Sequence, residues 1–225
     1  MMPGIVAAQA IAASIGAAAS IAALDFVAGT YVVNGSTVAA ADIIDHPEWI
    51  TGSGIEVRTA NESTEGDGIV HFIGDVLDLL LTLDWTIVAE YQELAADGAT
   101  RILVMQDGAI TFADFLMIER ENSGNGLGIT VDDFDDGGSI YRAVNDGAPR
   151  AEGIHRIAFT RTSAHLASSV DGDAVVEDAT ASAGVVAINA TIGAGDGEFL
   201  FNDLNFRSIT IYPAGANSQL PALSA

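Results

Sequence analysis

Along most of this chain, apolar and polar residues alternate with a period of two, and glycine, asparagine or aspartate breaks the pattern at short intervals. A period of two sends successive side chains to opposite faces of a strand and predicts half-buried sheet. In DWTIVAEYQE, Ile87, Ala89 and Tyr91 fall on one face, against Thr86, Glu90 and Gln92. In NFRSITIY, residues 205–212, Ile209 and Ile211 alternate with neighbours expected to be exposed. RILVMQ, DFLMIER and LGITV read as further strands. HRIAFTRTSAHLASSVDGDAVV supplies three more, with His155, Ile157 and Phe159 sharing one face and Leu166, Ser168 and Val170 the next. Asn34-Gly35, Asp107-Gly108 and Asp171-Gly172 are tight-turn pairs, because these residue types tolerate the positive φ that short hairpins demand. VLDLLLTLDW fits either a buried strand or a short helix, and Trp85 reads as core. Short strands with glycine-rich turns predict an all-β sandwich or barrel, not a βαβ fold.

The first residues break this period. GIVAAQAIAASIGAAASIAAL, residues 4–24, has no charge and a high helix propensity. Small residues recur at every fourth position, Gly4, Ala8, Ala12, Gly16 and Ser20, which would lay a flat strip along one helix face. Ile11 and Ile15 flank it. With no Lys or Arg ahead of the apolar run, a secretory signal is disfavoured. A membrane span has the length but too much alanine for lipid contact. The preferred reading is a helix buried against protein, as an anchor or a homo-oligomer seam, with a trimer favoured. The chain thus divides at residues 1–23 and 24–225.

Composition narrows the partners. Lys and Arg number 8 against 31 acidic residues, a net charge of −23. Such a surface repels phosphate backbones, so nucleic acid is not an expected partner. Without cysteine there is no disulfide and no zinc–thiolate site.

IHRIAFTRTSAHLASSVDGDAVV resembles the concanavalin A-like lectin/glucanase domains, the laminin-G-like group, at His155, Arg156, Val170, Asp171 and Gly172. The chain's end is similar to that group's ending: Ile192-Gly193, then Ile211-Tyr212-Pro213, then Leu220 and Leu223. The resemblance covers about residues 24 to 225. It implies a jelly-roll sandwich in which the first strand, LDFVAGTYVV, pairs with the last. LDFVAGTY with its Asn-Gly turn also resembles laminin-G-like modules of phage and prophage particle proteins.

Candidate chemistry is sparse. Glucanases of this group carry a Glu-x-Asp-x-x-Glu set on one strand, where paired carboxylates act as nucleophile and acid/base. The nearest stretch, AEYQELAAD, puts Glu90 and Glu93 on opposite faces with no aspartate between them, so no hydrolase is expected. Gly-x-Ser-x-Gly is also missing. His155 reads as a core histidine, and His71 and His165 as strand residues. TVDDFDDGGS, residues 130–139, reads as an acidic loop in which Asp132, Asp133, Asp135 and Asp136 are candidate calcium ligands. Phe134 occupies the middle ligand position and spoils the EF-hand spacing. No motif asks for an organic cofactor. For sugar, an exposed aromatic beside amides or carboxylates is needed. DHPEWITGSG offers Trp49 with His46 and Glu48, and GSIYRAVNDG offers Tyr141 with Arg142 and Asn145.

The expected protein is therefore a non-enzymatic concanavalin A-like sandwich with an N-terminal alanine-rich helix. Its leading expected role is a decoration protein on the surface of a virion, of phage or gene-transfer kind, associated with other virion proteins. The alternative is a glycan-binding adhesion module that recognises a host surface sugar.

Overall fold

The computed structural model describes residues 19–57, 69–82, 84–94, 100–106, 114–123, 126–135, 140–145, 152–182, 187–193 and 204–225. In chain order its strands begin with β1 (Ala22–Asp25), β2 (Thr30–Val33), β3 (Ser36–Thr37), β4 (Ile50–Thr51), β5 (Gly54–Val57) and β6 (Val70–His71). Helix α1 (Gly74–Leu81) follows, then β7 (Trp85–Glu93), β8 (Thr100–Gln106), β9 (Asp114–Ser123), β10 (Gly126–Asp135) and β11 (Ile140–Asn145). The chain continues with β12 (Gly153–Arg161), β13 (Leu166–Val170), β14 (Val176–Asp178), β15 (Asn189–Ile192), β16 (Leu204–Pro213) and helix α2 (Leu220–Ser224).

Among the described residues these strands form two antiparallel sheets. One has ten strands in the order β14-β13-β12-β7-β16-β1-β2-β3, with β5 on β16 and β4 on β5. The other has six, in the order β11-β10-β9-β8-β15-β6. The first strand pairs with the last, Ala22 opposite Ile211 and Leu24 opposite Ile209. The fold is an all-β jelly-roll sandwich of the concanavalin A-like type.

Alternation builds the core between the sheets. Ile87, Ala89 and Tyr91 of β7 and Ile157 and Phe159 of β12 bury from one side, and Leu116 and Ile118 of β9 and Ile129 and Val131 of β10 from the other. Trp85 is core, edge-on to Phe159 with ring centroids 5.3 Å apart. Each such large side chain contributes about 1.5–3 kcal/mol on burial. The tight turns form where expected: Asn34 and Gly35 have φ of 51° and 77°, Asp171 and Gly172 of 50° and 81°. Asp107-Gly108 lies outside the described residues.

One open alternative is settled and three expectations change. VLDLLL, residues 76–81, takes the helical alternative as part of α1, burying Val76 and Leu80, while Trp85 opens β7. The neighbours of Ile209 and Ile211 are not exposed: Thr210 and Tyr212 are buried. Here Leu220 and Leu223 of α2 pack with Tyr212, Val88, Ala158 and Ala167, closing a second, smaller core on the outer face of the ten-stranded sheet. The alanine-rich run ends as sheet, because Ile21 already donates its N–H to Ile211 O at 2.8 Å and β1 starts at Ala22. Ser20 is non-helical, while Gly4, Ala8, Ile11, Ala12, Ile15 and Gly16 lie outside the described residues. Finally, the acidic loop of 130–139 is strand as far as Asp135.

Candidate functional site

Strand alternation that sends Leu116, Ile118, Ile129 and Val131 into the core sends their neighbours to the outer face of the six-stranded sheet. Register orders those outer residues into three rows. One row runs Gln106, Phe115, Phe134 and the backbone position of Tyr141, each opposite the next. The next runs Thr191, Val104, Met117, Asp132 and Ala143. The third runs Arg101, Glu119, Thr130 and Asn145.

The first of these rows is aromatic. Phe115 and Phe134 face one another with ring centroids 5.8 Å apart and planes tilted by 38°, and both are partly exposed. The third is polar and charged. Arg101 Nε lies 3.6 Å from Glu119 Oε2, and Asn145 Nδ2 donates to Thr130 Oγ1 at 2.5 Å. Burial pushes the Arg101 guanidinium below its usual pKa, while Glu119 and then Asp132 push it back up. Asp132 and Thr130 are themselves buried, although they stand away from the main core. A sheet face on which charged groups are partly stripped of water is where electrostatics and hydrogen bonds gain strength, and such groups mark candidate sites.

The same alternation divides the acidic run instead of gathering it. Asp132 stands on the outer face, and Asp133 points between the sheets, where it is fully buried. Asp133 Oδ2 accepts from Arg142 Nε at 2.8 Å and from Arg142 Nη2, and Arg161 Nε lies 3.3 Å from it. Arg142 also donates through Nη1 to Thr162 O at 2.9 Å and Thr180 O at 3.3 Å. Burial lowers the Arg161 pKa, and Asp133 opposes that shift. Asp133 thus serves as a counter-ion for two interior arginines, in place of the expected rim ligand. Asp135 ends β10 opposite Asp114 and Ile140, and Asp136 lies outside the described residues. Among the described residues no three His, Cys, Asp or Glu side chains come together as a metal would require.

The sugar candidates separate likewise. Arg142 is interior, a correction to the expected exposed group, since even positions of β11 face the core beside Val144. Asn145 is on the outer face, and Tyr141 takes the position opposite Phe134. His46 and Trp49 stack on each other, centroids 4.3 Å apart and planes 13° from parallel. His46 Nδ1 is 3.0 Å from Glu48 Oε1, a bond that lowers the Glu48 pKa, and Trp49 is partly buried against the main core. The platform follows Asp45, whose Oδ2 holds His71 Nδ1 of β6 at 2.9 Å, and leads into β4 of the ten-stranded sheet. β6 and β11 are the two ends of the six-stranded sheet, five strand spacings or about 24 Å apart.

The other histidines are structural. His155 is buried and bonds through Nδ1 to Asp171 Oδ2 at 2.9 Å, while Asp171 Oδ1 accepts from Arg156 N. His165 sits in the β12–β13 turn, not in a strand, with Nδ1 at 3.2 Å from Thr162 Oγ1. Glu90 stands on the outer face of β7 and accepts from Arg207 Nε at 2.8 Å, whereas Glu93 is buried.

Phe115, Arg101 and Glu119 were not singled out in the sequence. For Phe115 and Glu119 the signal was alternation within DFLMIER, and Arg101 opens RILVMQ beside a register shift, but alternation does not say which strands lie side by side.

No protein-family model matches the chain, and no curated protein matches it by sequence. Solved structures do. The CBM40 domain of the Ruminococcus gnavus IT-sialidase, bound to α2,3-sialyllactose, is 13% identical with a TM-score of 0.56, over 76% of this chain and 92% of that one. Domain 4 of the Geobacillus stearothermophilus arabinanase AbnA, in complex with arabinotriose, is 14% identical with a TM-score of 0.56, over 93% and 100%. Trypanosoma rangeli sialidase is 13% identical with a TM-score of 0.58; the match spans 99% of this chain but only 38% of that larger enzyme. At these identities the likeness is one of architecture: the chain shares the β-sandwich of these domains.

Proposed function

We propose that this chain is a non-catalytic glycan-binding module whose ligand lies on the outer face of the six-stranded sheet. The observation that carries this reading is the partly exposed Phe115–Phe134 pair beside a charged and amide-bearing row on the same face. A sugar ring has an apolar C–H face and a rim of hydroxyls. The first suits the aromatic pair, and the second suits the partly exposed Asn145, Glu119 and Arg101. Phe134 and Thr130 are four residues apart on β10, about 13 Å, a span for an oligosaccharide rather than a single ring. Saccharide complexes of similar architecture, one with sialyllactose and one with arabinotriose, support the class of ligand.

The face does not favour hydrolysis. A glycosidase needs one carboxyl held protonated as general acid. The Glu119 carboxyl is paired with the Arg101 guanidinium instead.

The particle-decoration reading rests on the alanine-rich segment and on resemblance. It is compatible with glycan binding: anchored and trimerised through the alanine-rich residues ahead of Ile21 on a virion surface, such a module would meet host sugar. The sandwich itself favours the glycan reading. A glycan array probed with the full chain should give saccharide signals that Phe115→Ala and Phe134→Ala each reduce at least tenfold, about 1.4 kcal/mol. An array without signal, or signals indifferent to both substitutions, would sink the proposal.

A further inference from the structure

We infer that the saccharide taken by this face is uncharged, and that a sialylated glycan gains nothing from its carboxylate here. The inference rests on the glycan-binding reading and adds the ligand's charge class to it. Recognition of a sugar carboxylate calls for a cation able to turn toward it, and the fork of arginine is the usual means. On the described part of this face the cation is Arg101, and it is already engaged. Glu119 lies against its Nε, and Asp132 is close enough to raise its pKa. At this cluster two carboxylates, Glu119 and Asp132, stand against the one guanidinium of Arg101. A third carboxylate would have to shed water beside two of its own sign, and like charges brought together at an interface oppose binding.

The interior arginines offer no relief. Arg142 and Arg161 point to the other side of the sheet, and their side chains are almost wholly excluded from solvent against Asp133. Of the neutral polar groups on this face, Thr130, Gln106 and Thr191 are buried and Asn145 is partly exposed. Hydroxyls and amides pair with sugar hydroxyls in either direction, as donor or acceptor. At longer range a net charge of −23 also repels an anionic ligand.

Lactose and 3′-sialyllactose differ by one sialic acid residue and isolate its effect. Calorimetric titration of the full chain with both, and with arabinotriose as a second neutral probe, should show a neutral saccharide bound and sialyllactose bound no tighter than lactose, at low and at high salt. Sialyllactose bound more tightly than lactose, with the preference fading as salt rises, would overturn the inference while leaving the glycan reading intact. No binding of these probes together with a silent glycan array would remove the glycan reading itself, and this inference with it. Glu119→Gln separates the cause: it takes away one carboxylate and loosens Arg101. In that variant, with folding verified by circular dichroism, the affinity ratio of sialyllactose to lactose should rise several-fold. An unchanged ratio would contradict the role given to Arg101.

Discussion

Asp133 and Arg142 stand directly opposite each other on β10 and β11, and both side chains are excluded from solvent between the sheets. Arg161 of the other sheet shares the same carboxylate oxygen. One acid therefore compensates two buried guanidinium groups and ties the sheets together at their β11 edge. Removing one partner of such a cluster leaves uncompensated charge where water cannot reach. Asp133→Ala should cost about 3–5 kcal/mol in denaturant unfolding. Replacing Asp133, Arg142 and Arg161 together with apolar residues of similar size should cost much less than the single change. A single variant as stable as the parent would mean that the cluster is not the counter-ion arrangement described.

Helix α2 closes the second core through Leu220 and Leu223, and Ser224 Oγ bonds Ser169 Oγ at 2.9 Å and accepts from Gly172 N at 3.1 Å. Leu223→Ala should destabilise by about 2–5 kcal/mol through lost burial and the cavity left behind. Ser224→Ala should cost about 1 kcal/mol. Thermal unfolding would measure both, and a neutral Leu223→Ala would show that the outer cluster does not contribute to the fold's stability.

Asp178 joins the two sheets at the same edge, accepting from Thr180 N at 2.9 Å and from Ala143 N of β11 at 3.3 Å. Hydrogen bonds, those of Thr180 foremost, hold its pKa below the ordinary carboxylate value. The unfolded chain then binds the proton more readily, so this contribution is present above about pH 4 and fades as pH falls through the folded-state pKa. Asp178→Asn should flatten the acid limb of the stability curve and leave the slope near neutrality unchanged. An acid limb identical to the parent's would refute the assignment.

The alternation in HRIAFTRTSAHLASSVDGDAVV and NFRSITIY made the ten-stranded sheet legible, as did the positive-φ turns at Asn34-Gly35 and Asp171-Gly172. Leu220 and Leu223 were legible only through resemblance, because a five-residue helix has too little pattern of its own. The candidate site was half legible. Asn145, Tyr141 and Asp132 were singled out, but Asp133 and Arg142 were grouped with them, although alternation turns those two inward. Acidic residues look like loop in isolation. They run as strand here because Arg142, nine residues on, and Arg161, from the other sheet, supply the countercharge. The gathering of Arg101, Glu119 and Phe115 with Phe134 depends on which strands lie side by side, and no local period encodes that.

The alanine-rich segment gives a separate expectation. Ala12→Leu with Gly16→Leu places bulk on the small-residue strip and should abolish self-association in light scattering, with the β-sheet circular dichroism spectrum unchanged. Self-association that persists in this double variant would rule the strip out as the seam.

Chemical-shift mapping by NMR during titration with a glycan bound on the array tests the central claim most directly. The account expects the largest perturbations on one face of one sheet: Arg101, Gln106, Phe115, Glu119, Thr130, Asp132, Phe134 and Asn145, with inward neighbours such as Leu116 and Val131 little affected. Perturbations centred on His46 and Trp49 ahead of β4, or on the outer face of the ten-stranded sheet, would contradict it.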